Sequence, residues 1–82
     1  MAVPLWIMGI LVEDRAAVAP ELQEVITKYG SEILCRMGIP GPKKHKALIT
    51  IIIESDLEQL TSFRRELDTI PGLSVQTISF PQ

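Results

Sequence analysis

Ala47–Ile53 reads ALITIII, seven residues that are all β-branched or apolar, with no charge among them. Branched side chains fit a pleated strand. A short run that is apolar on both alternating faces predicts a central strand covered on both sides. Downstream, Ser55-Asp56-Leu57-Glu58 has the form of a capping box, and Leu57, Leu60, Phe63, Leu67 and Ile70 recur as one helical stripe. Pro71-Gly72 stops that helix, and LSVQTISF (Leu73–Phe80) reads as a last strand.

Upstream of ALITIII the same order occurs once more. LWIMGILV (Leu5–Val12) is apolar on both faces and predicts a second buried strand. Asp14 offers an N-cap, and Val18, Leu22, Val25, Ile26 and Tyr29 form a helical stripe that stops at Gly30. Pro20 implies either that the helix proper starts there or that an earlier turn is kinked. EILCRMG (Glu32–Gly38) reads as a shorter strand. Ile39–Lys46, holding Pro40, Gly41 and Pro42, predicts a loop because proline breaks a ladder. The resulting order, β-α-β-β-α-β, is that of an α+β ferredoxin-like sandwich: a four-stranded antiparallel sheet with two helices on one face. In the strand order 4-1-3-2 the first and third strands are central, and here these are the two most apolar.

Eighty-two residues with 46% hydrophobic and 22% charged content make one folded domain spanning 1–82. A single cysteine forms no internal disulfide and fits a reducing compartment. No positively charged leader is evident, and the apolar run Leu5–Val12 is too short to span a bilayer, so a cytoplasmic protein without membrane attachment is expected. A net charge of −2 argues against direct binding of nucleic acid.

The chemistry-bearing residues cluster in LCRMGIPGPKKHK (Leu34–Lys46), which holds the only cysteine and the only histidine. One Cys35 and one His45 fall short of a zinc ligand set, so no metal and no cofactor are expected. Lys43, Lys44, His45 and Lys46 have no interleaved aromatic, and ALITIII lacks the stacking rings of RNA-binding sheets. A phosphate-binding enzyme loop after the first strand would not carry Glu13 and Asp14 there. Adjacent on a strand end, these two also point apart as a general acid/base pair. No enzyme is expected. What remains is a binding module built on the turn Glu13-Asp14-Arg15 and on the loop Gly38–Lys46, although Glu13 and Asp14 read equally well as helix-capping residues.

VEDRAAVAPELQEVITKYGSEIL resembles the first half of an ACT domain, a regulatory module that binds amino acids at subunit interfaces. It departs from that pattern in lacking a glycine across Asp14-Arg15-Ala16-Ala17. GILVEDR, YGSEILCRMGIP and IPGLSVQT together resemble the small ACT-like regulators of the iron-only hydrogenase system, which are related to the C-terminal domain of nickel-responsive repressors. In the most specific piece, Tyr29-Gly30 with Arg36-Met37-Gly38-Ile39-Pro40, Gly30 and Gly38 would permit turns, Pro40 would end the ladder and Arg36 would set a charge beside a loop. The repressors' His-x-His metal pair is missing, and so is their DNA-binding arm, so neither function carries over. The resemblance implies a regulatory ligand- or partner-binding module without catalysis. Asp14, Arg15, Arg36, Gly38, Lys43 and His45 are its candidate ligand residues, and the mixed charges suit a small zwitterionic or anionic effector. The alternative is a structural interaction subunit docked on a larger protein partner.

The two central strands also predict self-association. Trp6, Met8, Ile10 and Val12 alternate with Leu5, Ile7 and Leu11, and Ile49, Ile51 and Ile53 alternate with Leu48 and Ile52. Helices cover one set only. A homodimer or homotetramer, closed through the sheet face or edge, would cover the other.

Overall fold

The computed structural model describes residues 3–40 and 46–80. Its elements are β1 (Leu5–Val12), α1 (Arg15–Lys28), a 3-10 turn (Gly30–Glu32), β2 (Ile33–Pro40), β3 (Ala47–Glu54), α2 (Leu57–Leu67) and β4 (Leu73–Phe80). The strands form one antiparallel sheet in the order β2-β3-β1-β4, which is the expected ferredoxin-like topology with β1 and β3 at its centre.

Strand alternation divides the apolar residues between the two faces of the sheet. Met8, Ile10 and Val12 of β1 and Ile51 and Ile53 of β3 are buried together with Val18, Leu22 and Ile26 of α1 and Leu60, Phe63 and Leu67 of α2. Ile70, just beyond α2, completes this core. Tyr29 is buried too, its ring stacked on Phe63 with centroids 4.7 Å apart.

Four local expectations need correction. The N-cap of α2 is Asp56, whose side chain accepts from the Gln59 N–H at 2.8 Å. Ser55 is buried instead: its hydroxyl donates to the Asp56 carbonyl, and its own carbonyl accepts the Trp6 indole N–H at 2.8 Å. That shift makes Leu57 the first helical residue, ahead of the turn that meets the sheet. It is 64% exposed and drops out of the stripe. Secondly, of the two readings of Pro20 the helix start falls away: α1 runs from Arg15 with Pro20 inside it, and Asp14 is extended at the N-cap and makes no side-chain cap bond.

Thirdly, β2 continues through Ile39 to Pro40, which pairs with Ala47. An edge strand has a ladder on one side only, so a residue without an N–H is tolerated there. The expected loop is therefore shorter, and its residues 41–45, with Lys43 and His45, lie outside the described residues. Fourthly, Gly38 lies within this strand rather than at a turn. The glycine that a turn does require is Gly72, at φ 79°, whose carbonyl accepts the Glu13 N–H at 3.0 Å.

A polar clamp joins the helices. Glu66 of α2 accepts from the Tyr29 hydroxyl and, at 2.9 Å, from the Lys28 ammonium. The Tyr29 bond foremost, then that of Lys28, holds the Glu66 carboxyl below its ordinary value, and the same contacts raise Lys28 and Tyr29. A lowered carboxyl favours the folded state above its unfolded value near pH 4.3 and loses that contribution as pH falls through the folded one. Wild type is accordingly expected to exceed Glu66→Gln in stability at pH 7, with the gap closing below about pH 4. Urea midpoints across pH 3–7 check this; a gap independent of pH would rule it out.

The sheet face turned away from the helices holds Ile7 and Leu11 of β1, Leu48 and Ile52 of β3, Met37 and Ile39 of β2, and Ile78 and Phe80 of β4. Met37, Ile39, Leu48, Ile78 and Phe80 are exposed. Across the middle of that face run Thr50, Gly9 and Gln76, and its one charge among the described residues is Glu54, at the end of β3.

Candidate functional site

Beneath the first half of α1, where it passes over β3 and β2, the described residues line an open pocket of about 290 Å³. Val12, Leu22 and Ile49 give it apolar walls, and the small residues Ala19, Gly38 and Ala47 leave the space. At the mouth stand Arg15 and Gln23. The Gln23 side-chain oxygen accepts from Arg36 at 2.7 Å, which brings a second guanidinium beside the opening.

Arg15 is the first residue of α1, placed by the turn that follows β1. Arg36 and Gly38 are two apart on β2 and so face the same side, opposite Ile51 and Ile49 of the helix-covered face. The chain thus brings Arg15 and Gly38 to one pocket from segments far apart in sequence, with Arg36 linked to its rim through Gln23. Asp14 is exposed at the N-cap beside them but does not line the cavity. Lys43 and His45 fall outside the described residues.

Lys46, at the start of β3, forms an ion pair with Glu13 at 3.1 Å, so Glu13 is engaged with the basic segment. Among the described residues Arg15 and Arg36 have no carboxylate within 4.0 Å. The undescribed residues contain no Asp or Glu. Cys35 is exposed on the open face opposite Ile52, across the sheet from the cavity. No three of the described His, Cys, Asp and Glu side chains gather as metal ligands. No described helix is long and apolar enough to cross a membrane.

Sequence reasoning missed Gln23, Ala19 and Ala47. Gln23 sits beside Leu22 of the apolar stripe, and a polar residue hugging a buried stripe was the available signal. Nothing in the sequence relates Ala19 to Ala47 until α1 lies over β3.

Known proteins give this geometry a setting. The structure of uncharacterized protein TM1266 from Thermotoga maritima superposes with a TM-score of 0.87 and 26% sequence identity, covering 94% of this chain and 96% of that one. A formyltetrahydrofolate deformylase from Pseudomonas putida KT2440 matches at a TM-score of 0.62 and 7% identity, with 94% of this chain covering 29% of that one, and so shares the fold alone. No curated protein matches the sequence. Residues 5–77 match the model of the TM1266-like family, described as "Iron-only hydrogenase system regulator, putative". With nearly the whole chain matched, from the start of β1 into β4, the protein belongs to the TM1266-like family of iron-only hydrogenase system regulators.

Proposed function

We propose that this chain is a non-catalytic regulatory module that works as a homo-oligomer and responds to a small ligand held at the α1 end of the sheet. The observation that carries self-association is the open sheet face, where at least eight large apolar side chains from all four strands are gathered with Glu54 as the one charge among the described residues. Soluble monomers seldom leave contiguous apolar patches beyond a few hundred Å² in water. Burying about 600 Å² of such surface contributes on the order of 15 kcal/mol, against association costs of about 4–15 kcal/mol. A face almost without charge carries no electrostatic instruction to select a foreign partner, whereas a two-fold contact with itself meets only its own apolar rows.

Light scattering on purified protein at micromolar concentration tests the assembly. A dimer or tetramer of the 9.1 kDa chain is expected, and a 9.1 kDa species would sink the proposal. The ligand half is tested by melting-point screens with amino acids, nucleotides and divalent metals. The rival role, a structural subunit on a larger protein, is favoured by one feature. Edge strand β4 has neither charge, proline nor bulge to discourage an added strand, whereas β2 has Arg36, Pro40 and a bulge near Cys35.

A further inference from the structure

The cavity under α1 combines two features that local structure does not require. The first is the space at Gly38. A Cβ built there would meet only Ile49 Cγ1, at 4.0 Å, and the backbone does not adopt the positive φ that calls for glycine. Neither close approach nor conformation requires a glycine at this exposed edge-strand position, and a side chain there would occupy the opening.

The second feature is Arg15. It occupies the first turn of α1, where the helix's own partial positive charge disfavours a cation, and that turn has no acidic residue. No described carboxylate lies within 4.0 Å of it. Arg36 adds a second uncompensated guanidinium, held toward the mouth by Gln23. Among the described residues an apolar pocket and a cation without a carboxylate partner, Arg15, meet at one opening, with Arg36 at its rim through Gln23. Local rules broken together without a structural return are characteristic of binding sites.

The chemistry of the walls then specifies the occupant. Val12, Ala19, Leu22, Ala47 and Ile49 offer no polar side-chain atom, so the buried end of a ligand is apolar. Guanidinium groups pair with carboxylates through parallel N–H bonds, so the end at the mouth is an anion. A volume of about 290 Å³ lies at the lower end for ligand sites, about 300–1,000 Å³, and suits a small metabolite rather than a nucleotide cofactor. We infer that the effector is a short-chain carboxylic acid, its apolar tail under α1 against Gly38 and its carboxylate at Arg15. This rests on the reading of the chain as a ligand-responsive module and names the class of ligand.

The test uses hexanoate, acetate and hexylamine, followed by amide chemical shifts in the full chain. Hexanoate is expected to give saturable shifts at Ala19, Gly38 and Ala47. Acetate, lacking the tail, and hexylamine, carrying the opposite charge, should bind at least tenfold more weakly. Gly38→Leu should abolish hexanoate binding by occupying the opening. Arg15→Gln should weaken binding about tenfold, and it serves as the test if Gly38→Leu fails to fold. Equal binding of hexylamine, retained binding in folded Gly38→Leu, or shifts confined to Ile7 and Ile78 on the open face would each overturn the inference. So would hexanoate silence. If hexanoate is silent while an amino acid, nucleotide or metal moves the melting point, the carboxylate class falls and the ligand-responsive module stands; if nothing binds, both fall.

Discussion

The Ile78→Glu variant is expected to behave as a 9.1 kDa monomer in light scattering, under conditions where the wild-type chain is expected to form the proposed dimer or tetramer. Ile78 is 56% exposed on β4, beside Ile7 in the row Cys35, Ile52, Ile7, Ile78 of the open face. In an isolated chain a glutamate there stays in water, and surface substitutions of this kind shift stability by about 0.5 kcal/mol or less. Across a closed interface the same carboxylate is buried without a partner, at a cost of several kcal/mol per copy. A glutamate side chain is too short to reach far beyond the contact. Since the association surplus is itself a small difference, two buried carboxylates are enough to reverse it. The control is Leu57→Glu. Leu57 is just as apolar and slightly more exposed, but it lies on α2 at the opposite side of the sheet, so its substitution should leave the assembly intact. An Ile78→Glu protein that remains oligomeric, with its circular dichroism unchanged, would exclude the open face as the contact and leave the β4 edge.

The largest loss of stability is expected from Phe63→Ala. Phe63 is 1% exposed and is among the largest fully buried side chains. Its ring stacks on Tyr29 at an interplanar angle of 14°, and Tyr29 in turn donates to Glu66. Removing it opens a cavity between α1, α2 and the sheet and loosens the aromatic floor under the polar clamp. Truncations of this kind cost about 3–5 kcal/mol, against a total of about 5–15 kcal/mol for an ordinary domain. A chain this short sits toward the lower end, so Phe63→Ala should be largely unfolded at 37 °C, or folded only at protein concentrations where association compensates. Urea denaturation at two protein concentrations reads both effects. A midpoint within experimental error of wild type would contradict the core as described.

The sequence by itself determined the fold, because the information needed is periodic and local. The period of two in β1 and β3, the stripe Val18, Leu22, Ile26 and the stripe Leu60, Phe63, Leu67 each state which side of an element must leave water. Two strands apolar on both faces also state that one sheet face is left apolar away from the helices. Local chemistry went astray where two equivalent solutions differ by one residue. Ser55 and Asp56 are both good caps, and only the pull of Trp6 on the Ser55 carbonyl and the burial of Ser55 give the cap to Asp56. Pro40 breaks a strand only if its missing N–H would have been used, and whether a strand lies at an edge is a property of the sheet.

The candidate site was half legible for the same reason. Arg15, Arg36 and Gly38 stand out as a cation on a helix start, a cation on a strand and a glycine near a proline, and all of these can be read in a line of letters. That Arg15 and Gly38 share one opening, that Ala19 and Ala47 hollow it, and that Gln23 links Arg36 to its rim depend on α1 lying across β3 and β2. A cavity is the space between elements, and its shape is fixed by their packing distance and angle rather than by the preferences of any one of them.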